Sequence, residues 1–178
     1  TALHKAAHNG NLAICQAIID KIDDVDLKDN RGRTPLFWAV SKKHNKIALL
    51  LIEKSKDLNI KYSDGKTILH NAAQEGNLTI CQAIVDKLEN IEPKDEDGRT
   101  PLYFAVSNEH TEIALLLIEK SKDVNFKDSD GKTILHSAAQ KKNTAICQAI
   151  VGNVDDVHLK DDSGRTPLYF AVSNKYTE

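Results

Sequence analysis

Among the 178 residues of this chain, those whose type and spacing could do chemistry are seven histidines, three cysteines, two Gly-Lys-Thr triplets and several acidic stretches. Gly65-Lys66-Thr67 and Gly131-Lys132-Thr133 have the end of a phosphate-binding loop, in which backbone N–H groups cradle phosphate and the lysine neutralises it. That loop needs a further glycine five residues before the first one. Ile60 and Phe126 stand there, so nucleotide binding is not expected. Asp95-Glu96-Asp97-Gly98 and Asp128-Ser129-Asp130-Gly131 open like a calcium loop but lack the bidentate acid that closes it. Both are expected as ordinary surface turns.

Cys15, Cys81 and Cys147 follow one another at intervals of 66 residues. If each interval is two packed units of helices at about 8–10 Å, successive thiols lie roughly 20 Å apart, and a disulfide closes only below about 7 Å between Cα atoms. They are expected as small buried hydrophobes in the registers Ile14-Cys15, Ile80-Cys81 and Ile146-Cys147. The absence of disulfides favours a reducing, intracellular and cytoplasmic setting. His4, His70 and His136 share one spacing and His44 and His110 another, so equivalent residues are separated along an axis instead of clustered. His8 and His158 are unrepeated and expected at the surface. No Gly-x-Ser-x-Gly, His-Glu-x-x-His or glycine-rich dinucleotide motif occurs, and neither an enzyme nor a cofactor or metal site is expected.

The elements that position these residues follow from one frame. Thr-x-Leu recurs at Thr1, Thr34, Thr67, Thr100, Thr133 and Thr166, always 33 residues apart. A fixed period of this size means one supersecondary unit stacked along an axis, each burying its apolar face on its neighbours. The units are 1–33, 34–66, 67–99, 100–132, 133–165 and a partial 166–178, read as one continuous domain and as a piece of a longer protein. In the fourth unit a polar stretch, Lys94 to Arg99, holds Gly98 and predicts a tight turn. Thr100-Pro101 then predicts a capped helix to about Asn108, and Thr111 to Lys120 predicts a second helix. Net charge is −2 with both signs interspersed, which gives no field for nucleic acid, and apolar runs such as Ile47 to Ile52 are too short to insert in a membrane.

Turn, helix, helix in 33 residues with a Thr-Pro-Leu-His-x-Ala fingerprint resembles the ankyrin repeat over the whole chain. The fingerprint is split. Odd units carry the histidine, as in Thr67-Ile68-Leu69-His70, and even units the proline with an aromatic, as in Thr100-Pro101-Leu102-Tyr103. The larger unit is thus a 66-residue pair: Gly98 to Asn108 repeats as Gly164 to Asn174 without a change. The resemblance implies an all-α solenoid of stacked helix-turn-helix units with β-hairpin-like turns between them, and a structural role for His4, His70 and His136 in linking turns. The chain departs from the family at the exit of the second helix. Ile22, Ser55, Leu88, Ser121 and Val154 replace the usual glycine, and strain is expected there.

The resemblance also implies a non-catalytic protein-binding module with a concave groove made of turn tips and first helices. At the tips the matching residues are Arg31, Arg33, Tyr62, Asp64, Lys66, Glu96, Asp97, Arg99, Ser129, Asp130, Lys132, Asp162 and Arg165. On the first helices they are Ser41, Lys42, Gln74, Glu75, Ser107, Asn108, Gln140 and Lys141. Asn59 and Asn125 lie in a context like that in which such repeats are hydroxylated. Trp38, Phe104 and Phe170 have two readings, a ligand-facing aromatic ladder or, the favoured one, filler of the seam between units. The alternatives to partner binding are a structural spacer that self-associates end to end, and an ankyrin effector of an intracellular microbe aimed at its host.

Overall fold

Thirty-three-residue spacing becomes, in a computed structural model that describes residues 1–154 and 156–173, a single stack of paired short helices. The helices are α1 (Ala2–His8), α2 (Leu12–Ile19), α3 (Pro35–Ser41), α4 (Asn45–Lys54), α5 (Ile68–Glu75) and α6 (Leu78–Val85). They continue with α7 (Pro101–Ser107), α8 (Thr111–Lys120), α9 (Ile134–Gln140), α10 (Thr144–Val151) and α11 (Pro167–Ser173). In the fourth unit the second helix has the expected bounds, Thr111 to Lys120, and the first ends at Ser107 with Asn108 as its cap. Among the described residues there is no named strand, only an isolated antiparallel bridge between Lys127 and Thr133. The fold is all-α.

Each odd-numbered helix packs on the next odd-numbered helix and on its own even-numbered partner. The first helices approach closely because Ala7, Ala39, Ala72, Ala105 and Ala138 are fully buried on them and present only a methyl group. The second helices supply the bulk: Ile47, Leu51, Ile80, Ile84, Ile113, Leu117, Ile146 and Ile150 are buried almost completely. Each such side chain contributes about 1.5–3 kcal/mol. Cys15 and Cys81 join this core as expected, whereas Cys147 is only partly buried. Burial pushes the Cys81 thiol up to about 12, which leaves it without nucleophilic character.

Between pairs of helices the chain makes a tight turn whose successive copies are laced by backbone. In the first, Gly32 N–H donates to Asp29 C=O at 2.9 Å and Asp29 N–H to Arg33 C=O at 2.8 Å. Neighbouring turns then join through Ser63 N–H to Arg31 C=O, Glu96 N–H to Asp64 C=O, Ser129 N–H to Asp97 C=O and Asp162 N–H to Asp130 C=O. This is why the turn needs glycine: Gly65 has φ +75°, and a Cβ there would lie 2.8 Å from Glu96 N.

Strain is not where the sequence placed it. The second helices α4 and α8 leave through Ser55 and Ser121 in ordinary extended backbone. The preceding unit caps those exits: Asp26 accepts from Ser55 Oγ and from the N–H groups of Lys56 and Asp57, and Glu92 accepts from the N–H groups of Lys122 and Asp123. The left-handed residues are at the exit of the first helix, where Lys43, Glu109 and Lys142 have φ of 56–63°. Gly76 holds the same place in the third unit. A Cβ there would meet the His110 ring, whose Nε2–H donates to Gln74 C=O.

Candidate functional site

At every turn but the second an aspartate opens the hairpin and a cation closes it. Asp95 is a buried case, its carboxylate without exposure. It accepts from the N–H groups of Asp97 and Arg99 and from Arg99 Nε at 2.8–3.0 Å, and pairs with the guanidinium end at 2.9 Å. Asp29 with Arg33 and Asp161 with Arg165 repeat the arrangement. Although burial opposes it, the Arg33 guanidinium and the N–H groups of Arg31 and Arg33 hold the Asp29 carboxyl down to about 2. The three guanidiniums also lie over Trp38, Phe104 and Phe170 at 4.3, 5.2 and 4.9 Å.

The histidines act as expected of turn linkers. His70 Nδ1 accepts from Thr67 N–H and its hydroxyl at 3.0 Å, while Nε2–H donates across the unit boundary to Arg99 C=O at 3.1 Å. His136 joins Thr133 to Arg165 C=O, and His4 joins Thr1 to Arg33 C=O. Burial pushes the His70 imidazole down to about 4, against the pull of its hydrogen bond to Arg99 C=O. Each ring uses both nitrogens to join its own threonine to the next turn.

The residues assigned to a binding face therefore divide. Arg31, Asp64, Glu96, Asp97, Ser129, Asp130 and Asp162 are exposed at the tips, and Lys42, Gln74, Asn108, Gln140 and Lys141 at the first helices. Ser41, Glu75 and Ser107 are half-buried, and Ser41 Oγ accepts from Asn71 of the next unit. Arg33, Lys66, Arg99, Lys132 and Arg165 are also half-buried and engaged internally, Lys66 with Asp64 and Lys132 with Asp130. Reversing those five charges would dismantle the turns before it tested any binding.

Tyr62 corrects the expectation of a tip residue at that position. It is 8% exposed and sits edge-on to Phe37 at 5.1 Å. It occupies the place held by aspartate in the other turns, and its hydroxyl has no hydrogen-bond partner. An unpaired buried hydroxyl costs about 1–3 kcal/mol. Tyr62→Phe is expected to raise the unfolding free energy by about 1 kcal/mol in urea titrations; a loss of stability would mean that the hydroxyl is satisfied.

Phe104 and Phe170 are buried and meet the edges of His70 and His136, which supports the seam reading for them. Trp38 is only half-buried and meets His8 instead, at 5.1 Å. Asn59 is exposed and Asn125 half-buried, each donating its N–H to the aspartate two residues earlier. Two recurrent features were missed in the sequence although the period exposes both: the turn aspartates themselves, and the exposed lysines Lys28, Lys61, Lys94, Lys127 and Lys160 beside them. Lys61 and Lys127 clip one turn to the next by donating to Lys94 C=O and Lys160 C=O.

Among the described residues, no group of three or more His, Cys, Asp or Glu side chains could hold a metal ion, and no helix is long and apolar enough to cross a membrane. A search of curated proteins finds no match. A family model described as ankyrin repeats (3 copies) matches residues 1–62, 55–128 and 116–178. Such repeats are generally protein–protein interaction modules and typically non-catalytic. With the model covering the chain and every turn and helix pair in its 33-residue place, this protein belongs to the ankyrin-repeat family.

Proposed function

We propose that this chain is a non-catalytic scaffold that binds a partner protein through its turn tips and the exposed ends of its first helices, in a reducing intracellular compartment. The observation that carries the reading is the division of the surface residues just described. Histidines, turn aspartates and the cations they hold are consumed by stacking. Arg31, Glu96, Asp162, Gln74 and Asn108 are exposed at corresponding places, and stacking does not dictate their side chains. Exposed pairs contribute only about 0–1 kcal/mol each, so affinity rests on many weak contacts and a few anchors.

The test is capture of a partner from a cell lysate, followed by titration of the purified partner against wild type and against Glu96→Lys/Asp162→Lys/Gln74→Ala/Asn108→Ala. The expected result is affinity at least about tenfold weaker with unchanged helical circular dichroism. Unaltered affinity moves the site to another face. Self-association end to end is the second reading. Sedimentation that grows with concentration would support it over a partner-free monomer.

A further inference from the structure

We propose that the first turn, with α1 and α3, forms a basic, tryptophan-bearing docking site for an acidic peptide segment, an assignment that rests on the partner-binding reading above. The 66-residue pair is copied closely enough that a departure at one place stands out. Between the first pair and the second, Arg31 stands for Asp97, Asn30 for Glu96, Lys5 for Asn71 and Lys42 for Asn108. Every one of these changes makes the first pair more positive. Lys43 for Glu109 and Lys46 for Glu112 run the same way.

The consequence at the turn is specific. In the second, third and fourth turns the acid at the tip neutralises the cation two residues on: Asp64 with Lys66, Asp97 with Arg99 and Asp130 with Lys132. In the first turn that acid is replaced by Arg31, so a second, exposed guanidinium is added beside the Arg33–Asp29 pair. Lys28, Arg31, Arg33 and Trp38 line one open concavity. Trp38 lies 4.3 Å beneath Arg33 and is half-buried. Lys42 is one helical turn beyond it on α3, and Lys5 one turn before His8, whose ring edge meets Trp38.

Guanidinium forks bind carboxylates in two-point geometry, and a half-exposed indole beside them supplies an apolar anchor. The neighbouring tips Asp64, Glu96, Asp97 and Asp130 are acidic and would repel a phosphate backbone running along the stack. A short acidic peptide satisfies both regions, and a nucleic acid does not.

Trp38 is the single tryptophan in the chain, so its fluorescence reports on this site directly. The experiment titrates hexaglutamate into the protein at low salt, with hexalysine and a dT6 oligonucleotide as comparators. Hexaglutamate is expected to give a saturable change in Trp38 emission that weakens as salt rises. Lys5→Asn/Arg31→Asp/Lys42→Asn uses residues native to the second pair and is expected to weaken it by about tenfold or more. If that variant loses helicity, Arg31→Ser, which copies position 163, replaces it. Hexaglutamate without effect on Trp38, equal affinity for the variant, or tighter binding of dT6 would overturn the assignment. None of these outcomes touches the broader partner-binding reading, which fails only if the exposed-tip variant above keeps its affinity.

Discussion

His70→Ala is expected to lower the unfolding free energy by about 3 kcal/mol, since it leaves a buried Thr67 N–H and the Arg99 carbonyl without partners and empties space beside Phe104. The same ring sets a pH dependence. Its folded-state pKa, about 4, lies below the ordinary histidine value near 6.5. Above pH ~6.5 both folded and unfolded chains carry a neutral ring and the stability is fully present. As pH falls the unfolded chain binds the proton first, so stability is lost progressively down to about pH 4, by roughly 3 kcal/mol. Burial also pushes His4 down, so a shallower slope survives in His70→Ala. Urea titrations at pH 7, 5.5 and 4 read this directly. Stability flat across that window, or a slope unchanged in the variant, would contradict the structural role given to the ring.

Asp95→Ala is expected to cost about as much, roughly 3 kcal/mol, because it removes the fully buried carboxylate that holds Arg99 at two points, leaving that half-buried arginine only the exposed Asp97, and orphans two backbone N–H groups in the turn. Asp128 provides the comparison. It is half-buried where Asp95 is fully buried, accepts from the N–H groups of Asp130 and Lys132, and leaves the ion pair of Lys132 to Asp130. Asp128→Ala is therefore expected to cost only about 1 kcal/mol. Chemical denaturation of the two variants side by side checks the difference; equal losses would mean that the Asp95–Arg99 pair adds nothing beyond the turn's backbone bonds.

The fold was legible in the sequence because an uninterrupted 33-residue period and threonine caps leave one stacking solution, and helices such as Thr111–Lys120 match to the residue. The linking role of the histidines was legible only through the resemblance to the ankyrin repeat. The exit of the second helix was misjudged because its cap comes from Asp26 or Glu92 of the preceding unit, a contact about 30 residues away that no local pattern encodes. Burial at the turns was misjudged too. Composition marks Tyr62, Arg33 and Arg99 as polar tip residues, but the exposure of the two arginines is decided by an aspartate four residues earlier that folds back on them, as Asp29 and Asp95 do. Tyr62 sits where that aspartate should be and fills the space with a ring.

The central claim is that partner binding uses the tips and first helices and spares the second helices. Amide hydrogen exchange on the chain with and without its captured, purified partner tests it most directly. The account predicts added protection at residues 30–31, 63–64, 96–97 and 129–130 and around Gln74 and Asn108, with α4, α6 and α8 unchanged. Protection confined to α4, α6 and α8, with the turns exchanging as in the free chain, would contradict it.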